Sequence, residues 1–180
     1  GAIYQMFSHG IISAMLFILA GVVYDRTSDR VISHYSGLAS KMPSYFIFVL
    51  IGFFASMGLP GFSGFIAEIL FLLGSFKSAS SNNLLHASLP VVATLGLVLG
   101  AGYYVWTIQR MFFGTFHFRG DDPAVLTDIS RQEYILLAPL GGAALFFGIF
   151  PQPVLNWINP FAQDFIKTVL DTGHALTTNP

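Results

Sequence analysis

Two side chains in this sequence combine proton-transfer chemistry with a hydrophobic setting, Glu68 and His9. Glu68 is the one formal charge in the apolar stretch 42–76. A carboxylate inside a membrane span costs free energy, so such groups usually face a polar interior and act there. Eight residues before it, Pro60 sits in Met57-Gly-Leu-Pro-Gly-Phe-Ser-Gly64. Pro60 removes a helical hydrogen bond, and Gly58, Gly61 and Gly64 loosen the backbone around it. A broken helix that carries a carboxylate points to a hydrated path for protons or other ions. The alternative is a Glu68 near the membrane edge that snorkels to water. His9 lies in the first apolar stretch among Ser8, Gly10 and Ser13. An imidazole with an ordinary pKa near 6.5 suits a proton relay. A histidine that bridges two helices by a hydrogen bond is the competing reading.

The elements that must hold these groups follow from the hydropathy. Only 9% of the 180 residues are charged and 54% are hydrophobic, whereas an average soluble domain is about 25% charged. This excludes most soluble folds and excludes disorder, which needs low hydrophobicity and high net charge. A net charge of −1 gives no footing on a phosphate backbone, so no nucleic-acid partner is expected. Four apolar stretches stand out, at 1–24, 42–76, 87–109 and 134–150. A span of the roughly 30 Å hydrocarbon core takes about 20 helical residues. The first and third fit one span each, and the short fourth starts at a capping box, Ser130-Arg-Gln-Glu133, with Ile129 and Tyr134 as a hydrophobic staple. The second, 35 residues long, would reach about 50 Å as one helix. It is either one span with a break or a tight hairpin.

Charge distribution favours the break. With one crossing, Arg26, Arg30, Lys41, Arg110, Arg119 and Arg131 share a side, against Lys77 and Lys167. A hairpin weakens that bias, and basic loops mark the cytoplasmic face. The expected fold is therefore all-α: a polytopic membrane helix bundle of about four spans, one of them broken. Residues 1–150 form the membrane region. Residues 151–180 form an interfacial tail, where Asn159-Pro160 reads as a helix start. Phe161, Phe165, Ile166 and Val169 give the tail helix one apolar face, Trp157 sits at headgroup depth, and Thr172 onward is expected to fray. Gly1 stands within an apolar stretch with no basic region before it, so the chain reads as the C-terminal piece of a longer protein rather than as a signal peptide.

The remaining motifs are weaker. Gly96 and Gly100 suggest close helix packing, and Tyr103, Tyr104 and Trp106 suggest an interfacial belt. Tyr24 to Arg30 reads as a salt-linked loop with Arg26 at a helix C-terminus, or as a solvated loop. No cysteine occurs, which removes disulfides, thiolate metal sites and a cysteine nucleophile. His34, His86, His117 and His174 fall in loops or the tail, which disfavours a haem site. No metal site, nucleotide loop or metalloprotease motif is visible.

In combination, Gln5-Met-Phe-Ser-His9-Gly, Gly21-Val-Val-Tyr-Asp-Arg-Thr27, Gly58-Leu-Pro-Gly-Phe-Ser-Gly-Phe-Ile-Ala-Glu68, Gln109-Arg-Met-Phe-Phe113 and Gly148-Ile-Phe-Pro-Gln-Pro153 resemble the antiporter-like membrane subunits of respiratory complex I. The match extends over nearly the whole chain. It is closest to the M, or chain 4, type of NADH:quinone oxidoreductase, because the L and N types and the multisubunit sodium/proton antiporters typically carry Lys where Glu68 stands. The photosynthetic D-type counterpart shares the Glu. The resemblance implies proton translocation driven by distant quinone reduction, with Glu68 and His9 in a mid-membrane chain of polar residues and water. It implies an oxidoreductase subunit without a redox site or cofactor of its own, with L-type and N-type subunits and the lipid bilayer as partners. It places the chain as a multi-pass protein of a bacterial inner membrane. A cation/proton antiporter subunit, a membrane-bound hydrogenase subunit and a structural membrane scaffold are the alternatives.

Overall fold

The computed structural model of the chain describes residues 1–81, 86, 88–120 and 122–177. Among them the helices are α1 (Ala2–Thr27), α2 (Leu38–Lys41), α3 (Pro43–Ser56), α4 (Ser63–Ser81), α5 (Ser88–Phe112), α6 (Arg131–Ile149) and α7 (Gln152–Thr177). Two short strands, β1 (Tyr35–Ser36) and β2 (His117–Phe118), pair antiparallel. Helices α1, α5 and α6 are each long and apolar enough to cross a membrane, and α3 is a shorter apolar helix.

Helix α1 buries one stripe, Tyr4, Ser8, Ile12, Met15, Leu19, Val22 and Val23, at the three- and four-residue spacing of a single helical face. That stripe runs antiparallel to α3 and then to α4. The Tyr45 hydroxyl donates to the Leu19 carbonyl at 2.9 Å, Gly52 packs on Leu16 and Leu19, the Ser8 and Ser63 hydroxyls bond at 2.8 Å, and Gly1 meets Leu70 and Phe71. As α1 descends from Leu19 to Gly1, its partners climb from Tyr45 to Phe71. Helices α3 and α4 therefore lie end to end and make one broken span. Pairing of Tyr35 with Phe118 brings the two basic loops to the same side, as a single crossing requires.

Helix α6 supplies the third wall through Leu137, Gly141, Ala144 and Gly148. Its capping box is formed: Ser130 Oγ accepts from the Glu133 N–H at 3.3 Å and Glu133 Oε2 accepts from the Ser130 N–H at 2.6 Å. Tyr134 packs edge to face on Phe48. The loop before α6 also caps another helix. No side chain of the Met42 cap position serves the start of α3; Asp128 does so from a distance, accepting from the Ser44 and Tyr45 N–H groups at 2.9 Å each and from Ile129 at 2.8 Å. Partial burial raises the Asp128 pKa, but these three donors outweigh it and hold the carboxyl below its usual range. A carboxylate with a lowered folded pKa stabilises above its unfolded pKa, and the effect is lost as pH falls through the folded value. Asp128→Asn is expected to cost about 1 kcal/mol, as for a lost N-cap. Thermal unfolding should show the gap between wild type and variant closing as the pH is lowered below the carboxylate range.

Three expectations change. Gly96 and Gly100 meet open space, and Leu95, Val98 and Leu99 around them are exposed, so no helix among the described residues packs on that motif. Helix α7 begins at Gln152 rather than near Asn159, and Pro160 lies in its interior. Pro153 occupies the first turn, where a missing N–H costs nothing, so the start signal was Pro153. The helix also continues past Thr172 to Thr177.

Candidate functional site at the helix break

The span breaks between Ser56 and Ser63. Gly58 and Gly61 take positive φ values of 65° and 100°, a region that favours glycine. Pro60 has no N–H to place. The N–H groups of Met57, Gly58, Leu59 and Phe62 bond to Phe53, Ala55, Phe54 and Leu59 carbonyls at 2.8, 3.4, 3.1 and 3.1 Å. The break is thus a folded turn that uses most of its own donors, not a row of bare amides. Gly64 follows in the first turn of α4, close against the Ala55 carbonyl.

Glu68 stands in the second turn of α4 and is half-buried. Helical side chains lean toward the N-terminus, and Glu68 folds back over the break. A Cβ placed on Gly58 would overlap its carboxylate and stand 2.7 Å from its Cδ. The Glu68 oxygens have no hydrogen-bond donor among the described residues. The carboxylate lies near both the N-terminal end of α4, which favours negative charge, and the C-terminal end of α3, which opposes it.

Small residues let three helices close on this point. Ile12, Ala55 and Ala144 pack together with Phe62 against them. Gly148 of α6 lies so close to the Gly61 carbonyl and the Phe62 backbone that no side chain fits. Two hydroxyl pairs complete the surroundings. Ser8 and Ser63 are fully buried and link α1 to the first residue of α4. Tyr104 and Ser56 bond at 2.6 Å, and the Tyr104 ring packs on Phe53. Tyr104 was expected in an interfacial belt, yet it sits beside the break, two turns inside α5. Sequence reading singled out neither Ser63 nor Ser56. Two serines flanking a Gly-Leu-Pro-Gly turn were the available signal.

His9 is exposed in this chain and bonds Ser13 Oγ through Nε2 at 3.0 Å. Among the described residues no hydrogen bond joins it to Glu68. Its neighbour Ser8 does reach α4. One turn back on α1, the Gln5 Oε1 is buried with no hydrogen-bond donor among the described residues. Of the sequence-selected residues, the structure groups Gly58, Pro60, Gly61, Gly64 and Glu68 in one turn and leaves His9 a helix away. The chain contains no cysteine, and the described residues hold no cluster of three or more His, Cys, Asp or Glu able to bind a metal.

The basic side is tied by a second set of polar contacts. Arg26 forms a bidentate pair with Glu133, 2.8 Å at each arm. It also donates to the Val22 carbonyl at 2.7 Å, the Asp128 carbonyl at 3.1 Å and Thr127 Oγ1 at 3.2 Å. The loop is therefore bonded rather than solvated.

The sequence model for the transmembrane region of NADH:quinone oxidoreductases and Mrp antiporters matches residues 1–112. NADH-ubiquinone oxidoreductase chain 4 of Chondrus crispus is 38% identical over 96% of this chain and 33% of its own length. NADH-quinone oxidoreductase subunit M of Rhodobacter capsulatus is 38% identical over 93% of this chain and 31% of its own length. F(420)H(2) dehydrogenase subunit M of Methanosarcina mazei is 38% identical over 96% of this chain and 33% of its own length. A chain in the solved respiratory complex I from Thermus thermophilus with bound NADH superposes with a TM-score of 0.78 at 32% identity, over 91% of this chain and 32% of that one. The chain spans about a third of the length of these relatives. With a broken span, a carboxylate folded over the break and a family match over its first 112 residues, this integral membrane chain belongs to the NADH:quinone oxidoreductase/Mrp antiporter transmembrane family.

Proposed function

We propose that this chain is part of a proton-translocating membrane subunit of a complex I-type oxidoreductase, with Glu68 as the proton-carrying group at the helix break. The observation that carries the reading is the Glu68 carboxylate resting over Gly58 between the ends of α3 and α4. There the carboxylate takes up a proton, becomes neutral, and returns to the anion on release. His9 serves as a second relay group reached through water, and the Ser8–Ser63 bond is the polar bridge between its turn and α4. Residues 1–150 hold the relay and 151–180 form the interfacial tail. The chain binds no cofactor, and quinone reduction elsewhere in the complex drives the transfer. Its partners are the other membrane subunits, of the L and N types, and the lipid bilayer.

A Glu at position 68 supports the M type over an antiporter subunit. The electron donor is not a property of this segment. Relatives named for NADH and for F(420)H(2) oxidation match it at the same 38% identity.

Glu68→Gln in the whole complex, reconstituted in vesicles, is the test. Quinone reduction in the uncoupled state should stay near wild type while protons moved per electron fall. Glu68→Asp should retain part of the pumping. Wild-type stoichiometry in Glu68→Gln would overturn the assignment.

A further inference from the structure

A cavity of about 540 Å³ opens between α1, α3 and α5, and its inner end reaches Phe53 and Tyr104 beside the break. Leu16, Leu19 and Val23 of α1, Val49 and Phe53 of α3 and Phe112 of α5 form its walls. Its volume is in the range of roughly 300–1,000 Å³ typical of small-ligand sites. The seven helical steps from Leu16 to Val23 of α1 give it a depth of about 10 Å along the helix. The mouth is different in character. Tyr24, Asp29 and Arg30 line it, on the side where the basic loops gather. The Asp29 carboxylate is engaged by His34 Nδ1 at 2.5 Å and the Val31 N–H at 2.9 Å, and the bond from His34 holds its pKa low. His34 Nε2 in turn accepts from Arg119 at 3.3 Å. The Arg30 guanidinium lies 4.3 Å from the centre of the Tyr24 ring and has no ion pair or hydrogen bond among the described residues. The mouth therefore presents a guanidinium stacked on Tyr24, its N–H donors without an acceptor among the described residues, above an apolar slot that runs inward along the span.

That arrangement matches one kind of amphiphile, with an anionic head at the membrane surface and a hydrocarbon tail. We propose that the cavity binds one anionic membrane phospholipid, its phosphate on Arg30 and an acyl chain along Leu16–Val23. Guanidinium recognises phosphate oxygens through paired N–H donors. Basic residues at the membrane surface concentrate anionic lipid there. Gly21 keeps the slot open: it lines the cavity, and a Cβ on it would meet nothing within 4 Å. The site is independent of Glu68 and does not rest on the relay.

The test uses the whole complex in phosphatidylcholine nanodiscs with a trace of phosphatidylglycerol carrying a photoactivatable acyl chain. The same probe built on phosphatidylcholine runs in parallel. Crosslinks mapped by mass spectrometry should fall on Leu16–Val23 and Val49–Phe53, and phosphatidylglycerol should be preferred. Gly21→Leu, which fills the slot, should reduce them several-fold. Arg30→Gln should abolish the preference between the two lipids and Arg30→Lys should keep most of it. If Gly21→Leu does not assemble, the Arg30 pair decides. Absence of wild-type crosslinks at these residues, the result if another protein segment fills the groove, overturns the proposal. Equal labelling by the two lipids, with no effect of either substitution, overturns it as well.

Discussion

Gly58→Ala is expected to uncouple pumping from electron transfer while the protein still assembles. Alanine at a φ of 65° pays the left-handed backbone cost of about 1–2 kcal/mol. More important, its methyl would occupy the place of the Glu68 carboxylate. The carboxylate is the free end of a flexible side chain, so it moves aside rather than breaking the fold, and the proton group leaves the turn. Gly61→Ala is the matched control. Gly61 also has a positive φ, 100°, but a Cβ there meets nothing within 4 Å. It should lose comparable stability and keep its pumping. Protons per electron and thermal stability, measured on both variants in the whole complex, check this. Equal pumping losses at positions 58 and 61 would assign the effect to backbone strain alone. Gly58→Ala combined with Glu68→Asp withdraws the carboxyl by one methylene and should recover part of the lost pumping.

Arg26→Ala should be the most destabilising single change on the basic side, by about 2–3 kcal/mol. Fully buried ion pairs lose roughly 3–5 kcal/mol when one partner is removed. Here the side chains keep 12% and 21% of their exposure, so water lowers the cost. The loss goes beyond charge. Arg26 joins the last turn of α1 to the capping carboxylate of α6 and to two loop carbonyl or hydroxyl groups. Without it, Glu133 keeps only the Ser130 contacts. Arg26→Lys should recover less than half, because an ammonium cannot match the planar fork. A double-mutant cycle with Glu133→Ala, read by thermal unfolding of the complex, should give a coupling well above the median of about 0–1 kcal/mol for surface pairs.

Sequence pattern reached much of this architecture because membrane spans leave strong signatures. A charge-poor stretch of the right length and a basic-loop bias follow from solvation alone, and the capping box follows from local hydrogen bonding. The break was legible for the same reason: Pro60 and three glycines act on the backbone wherever they stand. Long-range polar choices were not legible. Nothing in the spacing of Arg26 and Glu133, 107 residues apart, marks them as partners. Nor does anything local mark Asp128 as the cap of α3, since Met42 precedes that helix and the capping group comes from another loop. Tyr104 carried an interfacial reading because aromatic residues near a helix end usually belong there, but the Ser56 hydroxyl drew it to the break. Pro160 misplaced the start of α7 because a proline preceded by asparagine imitates a cap, while Pro153 had already opened the helix. Glu68 was conspicuous as a type. Its position over Gly58 needed the fold.

Glu68, as the proposed proton-carrying group, should change its protonation state during turnover. Infrared difference spectroscopy on the whole complex reads this directly, through the carbonyl stretch of a protonated carboxyl. Wild type should show a carboxyl band that appears or vanishes between resting and turning-over states, shifts in deuterium oxide, and is missing from the Glu68→Gln difference spectrum. A difference spectrum identical in wild type and Glu68→Gln would contradict the account.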